Sequence, residues 1–213
     1  MVNNPKDSNT EEKILHTAME VFVEKGLLGA RMQEIADRAG INKALLHYYF
    51  RTKERLYSHI FQFILKKSAG DIIELLNSNL PFEDLLKNFI SKYIDIVHKN
   101  HRIPLFIMKE LSSGGNTVKE VVKNVFNIKN TEELPAIRIF KNAMEEGRIV
   151  TMDPRQIIIT VIGACLFYFI GEPIIRTILI DENNFDRDQF IKERKKAVFD
   201  IVYYGLVPRG ENK

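Results

Sequence analysis

The chain has 213 residues and 45% of them are hydrophobic, so it is long enough for one large domain or two small ones with a packed core. The formal net charge of +3 excludes a polybasic chain, so any surface that binds an anionic partner must be a local patch. The single cysteine, Cys165, excludes an internal disulfide and a cysteine-based zinc cluster, and it fits a reducing cytoplasm.

The first predicted helix begins in the acidic stretch SNTEEK. Ser8 or Asn9 is the expected N-cap, and Ser8 and Glu11 have the spacing of a capping box. Gly26 is the expected stop. Between these signals, apolar residues recur at helical spacing on one face, namely Ile14, Ala18, Val21 and Phe22.

Two short helical patterns follow, and almost no loop separates them. In the first, Ile35, Ala36 and Ala39 form the apolar face, and Gly40 allows the backbone to reverse. In the second, Asn42 is the expected cap of a helix of about two turns. Two short helices joined by a tight glycine turn are typical of a helix-turn-helix, whose second helix enters the major groove of DNA.

Positive charge is concentrated in and directly after this second short helix. Residues 39–59 contain four basic side chains against one acid, Glu54, so a phosphate backbone could lie here. Tyr48 and Tyr49 each add a hydroxyl that can bind phosphate from a ring packed against the helix pair. The four basic residues are Lys43, Arg51, Lys53 and Arg55.

The rest of the sequence predicts further helices and no strand pair, so the expected class is all-α with about nine helices. We expect a three-helix helix-turn-helix DNA-binding domain over residues 8–55 and a larger helical body over residues 56–208. The predicted helices of the body are Lys53–Leu76, Phe82–His98, Ile103–Leu111, Val118–Phe126, Leu134–Gly147, Pro154–Ile180 and Arg187–Leu206.

One stretch of the body, Ile157–Gly171, carries no charge. It is shorter than the roughly 18–20 apolar residues that a membrane span needs, and Arg155 and Glu172 bound it closely. We therefore predict a helix that is buried on most of its sides, in a core or between subunits, in a cytoplasmic protein.

The order of residues after Gly26 is specific. It includes Ile35-Ala36, Ala39-Gly40-Ile41, Lys43, Leu46, Tyr48-Tyr49-Phe50, Lys53-Glu54 and Leu56. This order resembles the DNA-binding head of the TetR family of bacterial transcriptional repressors, and the resemblance covers roughly residues 10–59. It implies a homodimer whose body binds a small molecule that lowers the affinity of the heads for their operator.

Three residues depart from the pattern of that family. Arg31 stands where a threonine often opens the first helix of the motif, Leu45 replaces a small residue, and His47 replaces a tyrosine. Arg31 and His47 can still bind phosphate, and Leu45 can contact a thymine methyl or pack. We expect these changes to alter the operator that is recognised rather than DNA binding itself.

We expect three groups of functional residues. The side chains expected to contact DNA are Arg31, Gln33, Asn42, Lys43, Ala44, Leu45, His47, Tyr48, Tyr49 and Lys53. The candidates for binding an apolar or amphipathic effector, all of which also suit an ordinary core, are Tyr93, Phe106, Phe140, Cys165 and Phe169. The candidates for a dimer interface on the last two helices are Ile158, Ile162, Phe169, Val198, Ile201 and Val202.

No metal or cofactor is expected. His98 and His101 are spaced i, i+3, but no cysteine is near and the next acid is Glu110, so we interpret them as solvated residues at a helix end. An enzyme is not expected either, because the histidines are dispersed and no catalytic triad or phosphate-binding loop is present.

The predicted function is that of a dimeric helix-turn-helix transcriptional regulator. The most suitable role is a repressor that a small molecule releases from a pseudo-palindromic operator. The alternative is a helical scaffold or adaptor that has a repressor-like head and no specific operator.

Overall fold

The computed structural model describes residues 5–100, 102–125, 130, 134–180 and 185–208. These residues form ten α-helices and no strand, which confirms the predicted all-α class for the described part of the chain. The helices are α1 (Pro5–Gly29), α2 (Met32–Ala39), α3 (Lys43–Phe50), α4 (Lys53–Leu76), α5 (Phe82–Lys99), α6 (Arg102–Ser112), α7 (Asn116–Val125), α8 (Pro135–Glu145), α9 (Pro154–Leu179) and α10 (Arg187–Leu206).

The chain divides into two compact units. The first consists of Met1–Lys67 with Arg102–Asn127, and the second consists of Ser68–His101 with Ile128–Lys213. Helices α6 and α7 therefore belong to the same unit as the predicted helix-turn-helix. The expected functional division after residue 55 stays a prediction, because a compact unit reports packing and not function.

Helix α1 differs from its prediction at one end. It begins at Pro5, so the expected N-cap at Ser8 or Asn9 is wrong, and a proline is well suited to a first helical turn because its missing N–H has no partner there anyway. The expected break at Gly26 is present, since this residue has a φ of +69° that interrupts the helix.

An aromatic cluster fills the core of the first unit. The ring of Phe106 stacks on Phe61 with 4.4 Å between the centroids, and Tyr57 meets Phe22 edge-to-face at 4.9 Å. Phe106 is fully buried in this cluster. Its predicted role in binding an effector is therefore corrected, because its side chain is part of the core that supports α1 and α4.

A buried carboxylate connects α6 to α7. Among the described residues, Glu110 is the charged residue that is buried, with 5% of its surface exposed. Its Oε1 accepts a hydrogen bond from the backbone N–H of Thr117 at 2.6 Å, in the first turn of α7. Burial, together with the nearby charge of Glu110, raises the pKa of Tyr57. Glu110 therefore satisfies one of the free amides at the start of α7.

The second unit has its own core, built by α5, α8, α9 and α10. Ile90, Ile94 and Cys165 are fully buried in it. Three residues predicted for a dimer interface are also in this core, where they pack against their own chain and expose little surface to a partner. They are Phe169, Val198 and Val202, which are 5%, 2% and 7% exposed.

Helix α9 is longer than the uncharged stretch inside it. Among the described residues, it is the one helix that could cross a membrane by length and composition, with a mean hydropathy of 2.1 in its most apolar window, although the core helix of a soluble protein can meet the same criterion. Only 28% of that window is buried, so the chain's own core does not cover most of this helix, and the alternative of burial between subunits stays a prediction. Its neighbours cover one side and leave the other exposed.

The contact between Glu110 and Thr117 can be tested by substitution. We expect Glu110→Ala to lower the free energy of unfolding by about 1–3 kcal/mol, because it leaves the half-buried amide of Thr117 without its partner. Chemical denaturation of the full chain measures this change. Glu120→Ala is the control, since Glu120 is an exposed acid on α7, and its effect should stay within about 0.5 kcal/mol. Equal losses in both variants would contradict the role given to Glu110.

Candidate functional site

The turn between α2 and α3 is held by the backbone itself. Gly40 has a φ of +67°, its N–H donates to the carbonyl oxygen of Asp37 at 3.1 Å, and the N–H of Ile41 donates to Ala36 at 3.0 Å. These two bonds are those of a Schellman motif, which closes a helix and requires a left-handed residue. The chain thus leaves α2 in a fixed direction.

Helix α3 begins at a side-chain cap, as the sequence predicts. The Oδ1 atom of Asn42 accepts a hydrogen bond from the N–H of Leu45 at 2.7 Å. The helix buries Leu46 and Phe50, which are one turn apart and anchor it in the core of the first unit. The side chain of Asn42 therefore fixes the start of α3. The face of the helix opposite Leu46 and Phe50 is exposed.

That opposite face carries most of the residues predicted to contact DNA. Tyr48 is 79% exposed, and its ring meets Tyr49 edge-to-face at 5.6 Å. Lys43, Ala44 and His47 are exposed beside it. Leu45 and Tyr49 are half-buried, so each combines packing with a partly accessible surface.

The ring of His47 has a defined orientation. Its Nδ1 lies 2.8 Å from the carbonyl oxygen of Arg51. Because a carbonyl oxygen can only accept, Nδ1 carries the proton in this bond and the other ring nitrogen is left for a second partner. A histidine at this position can therefore still offer a polar atom outward from α3.

Lys53 has a structural role beside the predicted contact with DNA, which stays a prediction. Its Nζ donates to the carbonyl oxygens of Leu28 and Ala30, both at 3.2 Å. These contacts with the end of α1 occupy two of the three N–H groups of the Lys53 ammonium. The third N–H can donate to a phosphate. Lys53 therefore ties the start of α4 to the end of α1 in addition to any contact with DNA.

Ion pairs connect α1 to α2 on the outer surface of the first unit. Glu34 lies 2.7 Å from both Lys25 and Arg38, and Arg38 lies 2.8 Å from Glu24. The hydrogen bond from Arg38 lowers the pKa of Glu24, and the hydrogen bond from Lys25 lowers the pKa of Glu34. The positive charges of Lys25 and Arg38 therefore compensate the negative charges of Glu24 and Glu34.

Two other residues of the prediction lie on α2 or just before it. Arg31 precedes α2, is exposed, and makes no side-chain cap to the helix, so its guanidinium is available on this face. The Nε2 atom of Gln33 donates to Asp37 at 2.8 Å, which holds the amide along the helix surface. The geometry thus leaves Arg31 more available to DNA than Gln33.

A second feature is a small apolar cavity within the second unit, with a volume of about 40 Å³. Of the predicted effector residues Phe140 lines it, whereas Tyr93, Cys165 and Phe169 are outside its lining. Burial, chiefly, raises the pKa of Tyr93 and of Cys165 to about 12. The cavity is lined by Leu76, Phe82, Leu85, Leu86, Phe89, Ala136, Ile139, Phe140, Ile158, Val161 and Ile162.

Sequence reasoning missed the contribution of α5 to this cavity. Phe82, Leu85, Leu86 and Phe89 follow helical spacing on one face of α5, and this pattern is the signal that could have indicated it. The pattern alone cannot separate a cavity wall from a filled core, because both are apolar. Ile158 and Ile162, which were predicted for a dimer interface, also line the cavity.

A third feature is an exposed apolar surface on α9 and α10. Of the predicted dimer residues, Ile201 is on this surface and is 73% exposed. The other large apolar side chains that α9 and α10 expose are Ile159, Phe167, Ile174, Ile178, Leu179 and Tyr204. Exposed apolar residues in such a number are typical of a surface that binds another protein.

The remaining prediction concerned His98 and His101. His98 lies 3.2 Å from Asp188 through its Nε2 atom, and His101 lies outside the described residues. Within the described ranges, no group of three or more histidine, cysteine or acidic side chains is arranged to hold a metal ion.

Comparisons with known proteins agree with this arrangement. Residues 14–60 match the family described as "Bacterial regulatory proteins, tetR family". The HTH-type transcriptional regulator RutR of Escherichia coli is 23% identical over 211 residues, which cover 95% of this chain and 92% of RutR. The "Probable HTH-type transcriptional regulator YttP" of Bacillus subtilis is 25% identical over 65% of each chain, slightly less than two thirds of its length.

Solved structures share the fold of the whole chain. A protein of Clostridium perfringens that is named as a fatty acid metabolism regulator superposes with a TM-score of 0.74 at 18% identity, and the match covers 92% of this chain and all of the other. At this identity the likeness shows the fold alone. Residues 14–60 therefore carry the helix-turn-helix head of the tetR family of bacterial regulatory proteins, and the chain as a whole is similar in sequence to helix-turn-helix transcriptional regulators and shares the fold of the Clostridium perfringens protein.

Proposed function

We propose that this chain is a dimeric transcriptional repressor that binds a pseudo-palindromic operator through α3 and is released by a small-molecule effector bound in its second unit. The observation that carries the proposal is the exposed face of α3. There Lys43, Ala44, His47 and Tyr48 are exposed on a helix whose other face is anchored in the core. The proposed site of action is the cytoplasm, where bacterial DNA is located.

The composition of this face suits DNA. Near the start of α3, Lys43 can reach a phosphate or the edge of a guanine, and Ala44 is small enough to contact a thymine methyl. Tyr48 offers a hydroxyl that can donate to the phosphate backbone. Arg31 adds an exposed positive charge just before α2.

A dimer follows from the small size of α3. A helix of 8 residues reaches only a few base pairs, which is too little for specific binding by one copy. Two copies related by a two-fold axis would read two half-sites about 34–36 Å apart or a multiple of that spacing. The exposed apolar surface of α9 and α10 supports this proposal, and Ile201 remains in it from the residues predicted by sequence.

The cavity of the second unit supports the proposed effector site. Its lining is apolar throughout, which suits an apolar or amphipathic molecule. The effector releases the operator only if it binds the conformation that is unsuited to DNA more tightly.

The contact with DNA can be tested by removing one charge and one hydroxyl. We expect Lys43→Ala combined with Tyr48→Ala to weaken binding to the operator by at least about 100-fold, with an unchanged helical spectrum. Because each dimer loses two charges that neutralise phosphate, the slope of log affinity against log salt concentration should become shallower by about 2. Fluorescence anisotropy with an operator selected from randomised DNA measures both quantities.

The control for this experiment is Lys192→Ala, which removes one exposed positive charge from α10 in the second unit. It should leave operator affinity within about twofold of the unsubstituted chain. Unchanged affinity in the Lys43 and Tyr48 variant would place the DNA surface elsewhere. A selection that recovers no inverted repeat at any salt concentration would favour the adaptor alternative.

The dimer surface can be tested by placing a charge in it. We expect Ile201→Glu combined with Phe167→Glu to give a monomer in sedimentation velocity, because two copies would bury four carboxylates in an apolar interface. Operator affinity should fall with the loss of the dimer. Leu111→Glu is the control, since Leu111 is a 52% exposed apolar residue of the first unit. A dimer that survives both substitutions in α9 and α10 would contradict the proposed interface.

A further inference from the structure

The apolar cavity has a second hollow directly beside it. This second hollow, a surface groove, shares the side chains of Phe82, Leu85 and Ile139 with the cavity. The groove is also lined by Ser78, Asn79, Leu80, Asn142, Ala143, Glu146 and Arg148. The cavity and the groove are therefore separated by no more than a shared wall of three apolar side chains.

Polar groups are divided unevenly between the two hollows. The cavity lining contains no polar side chain, and the aromatic rings of Phe82 and Phe140 meet there edge-to-face at 5.7 Å. An ionised or unpaired polar group would be costly to bury among these residues. The cavity consequently accepts only the hydrocarbon part of a ligand.

The polar side chains of the groove carry no net charge. Arg148 and Glu146 form an ion pair at 2.6 Å, and each side chain is 51% exposed. The amides of Asn79 and Asn142 are exposed beside this pair, and each amide can both donate and accept a hydrogen bond. Because the positive charge of Arg148 is already matched by Glu146, a carboxylate would have to compete with Glu146 for the guanidinium.

From this division we infer the chemical class of the effector, and the inference rests on the proposed function of the second unit as an effector site. The effector is an uncharged amphipathic molecule. Its hydrocarbon part fills the cavity between α5, α8 and α9, and an uncharged polar group, such as an amide or a hydroxyl, reaches the groove and binds Asn79 or Asn142. Free carboxylic acids and amines are selected against by the neutral groove.

Four probes with one hydrocarbon chain and different polar groups test this inference. Decanamide and decanol are uncharged, whereas decanoate and decylammonium carry opposite charges at neutral pH. Isothermal titration calorimetry on the full chain should show that both uncharged probes bind at least about tenfold more tightly than either charged probe. Tighter binding of decanoate or decylammonium would overturn the inference, and so would a failure of all four probes to bind.

Substitutions locate the two parts of the ligand. Ala136→Phe fills the cavity with a ring and should abolish binding of decanamide, whereas Arg138→Phe adds the same ring on the exposed side of α8 and should not. An unchanged helical circular dichroism spectrum and an unchanged unfolding midpoint in both variants show that the chain is folded. Asn79→Leu combined with Asn142→Leu should weaken decanamide more than tenfold, and unchanged binding in this double variant would overturn the inference. Loss of binding in Arg138→Phe alone would place the ligand elsewhere.

A second variant tests the basis of the charge selection. Glu146→Gln leaves Arg148 without its acid partner, so the groove becomes positive. We expect decanoate to bind this variant at least about tenfold more tightly than the unsubstituted chain, while decanol is unaffected. No gain for decanoate would show that the groove does not hold the polar group of the ligand, which overturns the inference.

These measurements separate the class of ligand from the function of the protein. Calorimetry detects binding without DNA, so a chain that binds decanamide but no operator would contradict the proposed repressor and leave the inferred ligand class standing. A chain that binds an operator tightly, and binds decanoate better than decanamide, would support the repressor and overturn the ligand class.

Discussion

The exposed face of α3 depends on the turn at Gly40. Only a residue that tolerates a positive φ can close α2 with both hydrogen bonds of the Schellman motif, and the chain then enters α3 after two further residues. Asn42 caps the new helix immediately, so α3 starts at a defined residue and with a defined rotation. That rotation turns Leu46 and Phe50 into the core and Lys43 and Tyr48 outward. A small shift in the turn would exchange these faces and remove the surface for DNA.

Much of this first region could be predicted from the sequence, because short-range interactions determine it. The glycine turn, the asparagine cap and the spacing of apolar residues each act over a few residues, and all three agree on the same two helices. The resemblance to a known family added the expected partner. What it could not give was the role of Lys53, because its contacts with Leu28 and Ala30 join residues more than twenty positions apart.

Predictions for the second unit were weaker for a related reason. An apolar residue on a helix can line a core, a cavity or an interface between subunits, and the sequence pattern is the same in each case. Phe106 and Phe140 look alike in the sequence, yet one is in the aromatic cluster of the first unit and the other lines a cavity of the second. On α10, Val198 faces inward and Ile201 faces outward, although both belong to the same apolar pattern. Long-range packing decides these cases.

Under the proposed function, the space in the apolar cavity allows an effector to stabilise one conformation of the second unit. Empty apolar space lowers the stability of a core, because the lining side chains lose contacts on one side. A molecule that fills this space in one conformation stabilises that conformation by about 2.7 kcal/mol when its concentration is about 100 times its dissociation constant. A difference of this size, if the ligand binds one conformation only, shifts the equilibrium between two conformations by about 100-fold. Under the proposed function, regulation of DNA binding therefore depends on selectivity of the ligand between conformations more than on very tight binding.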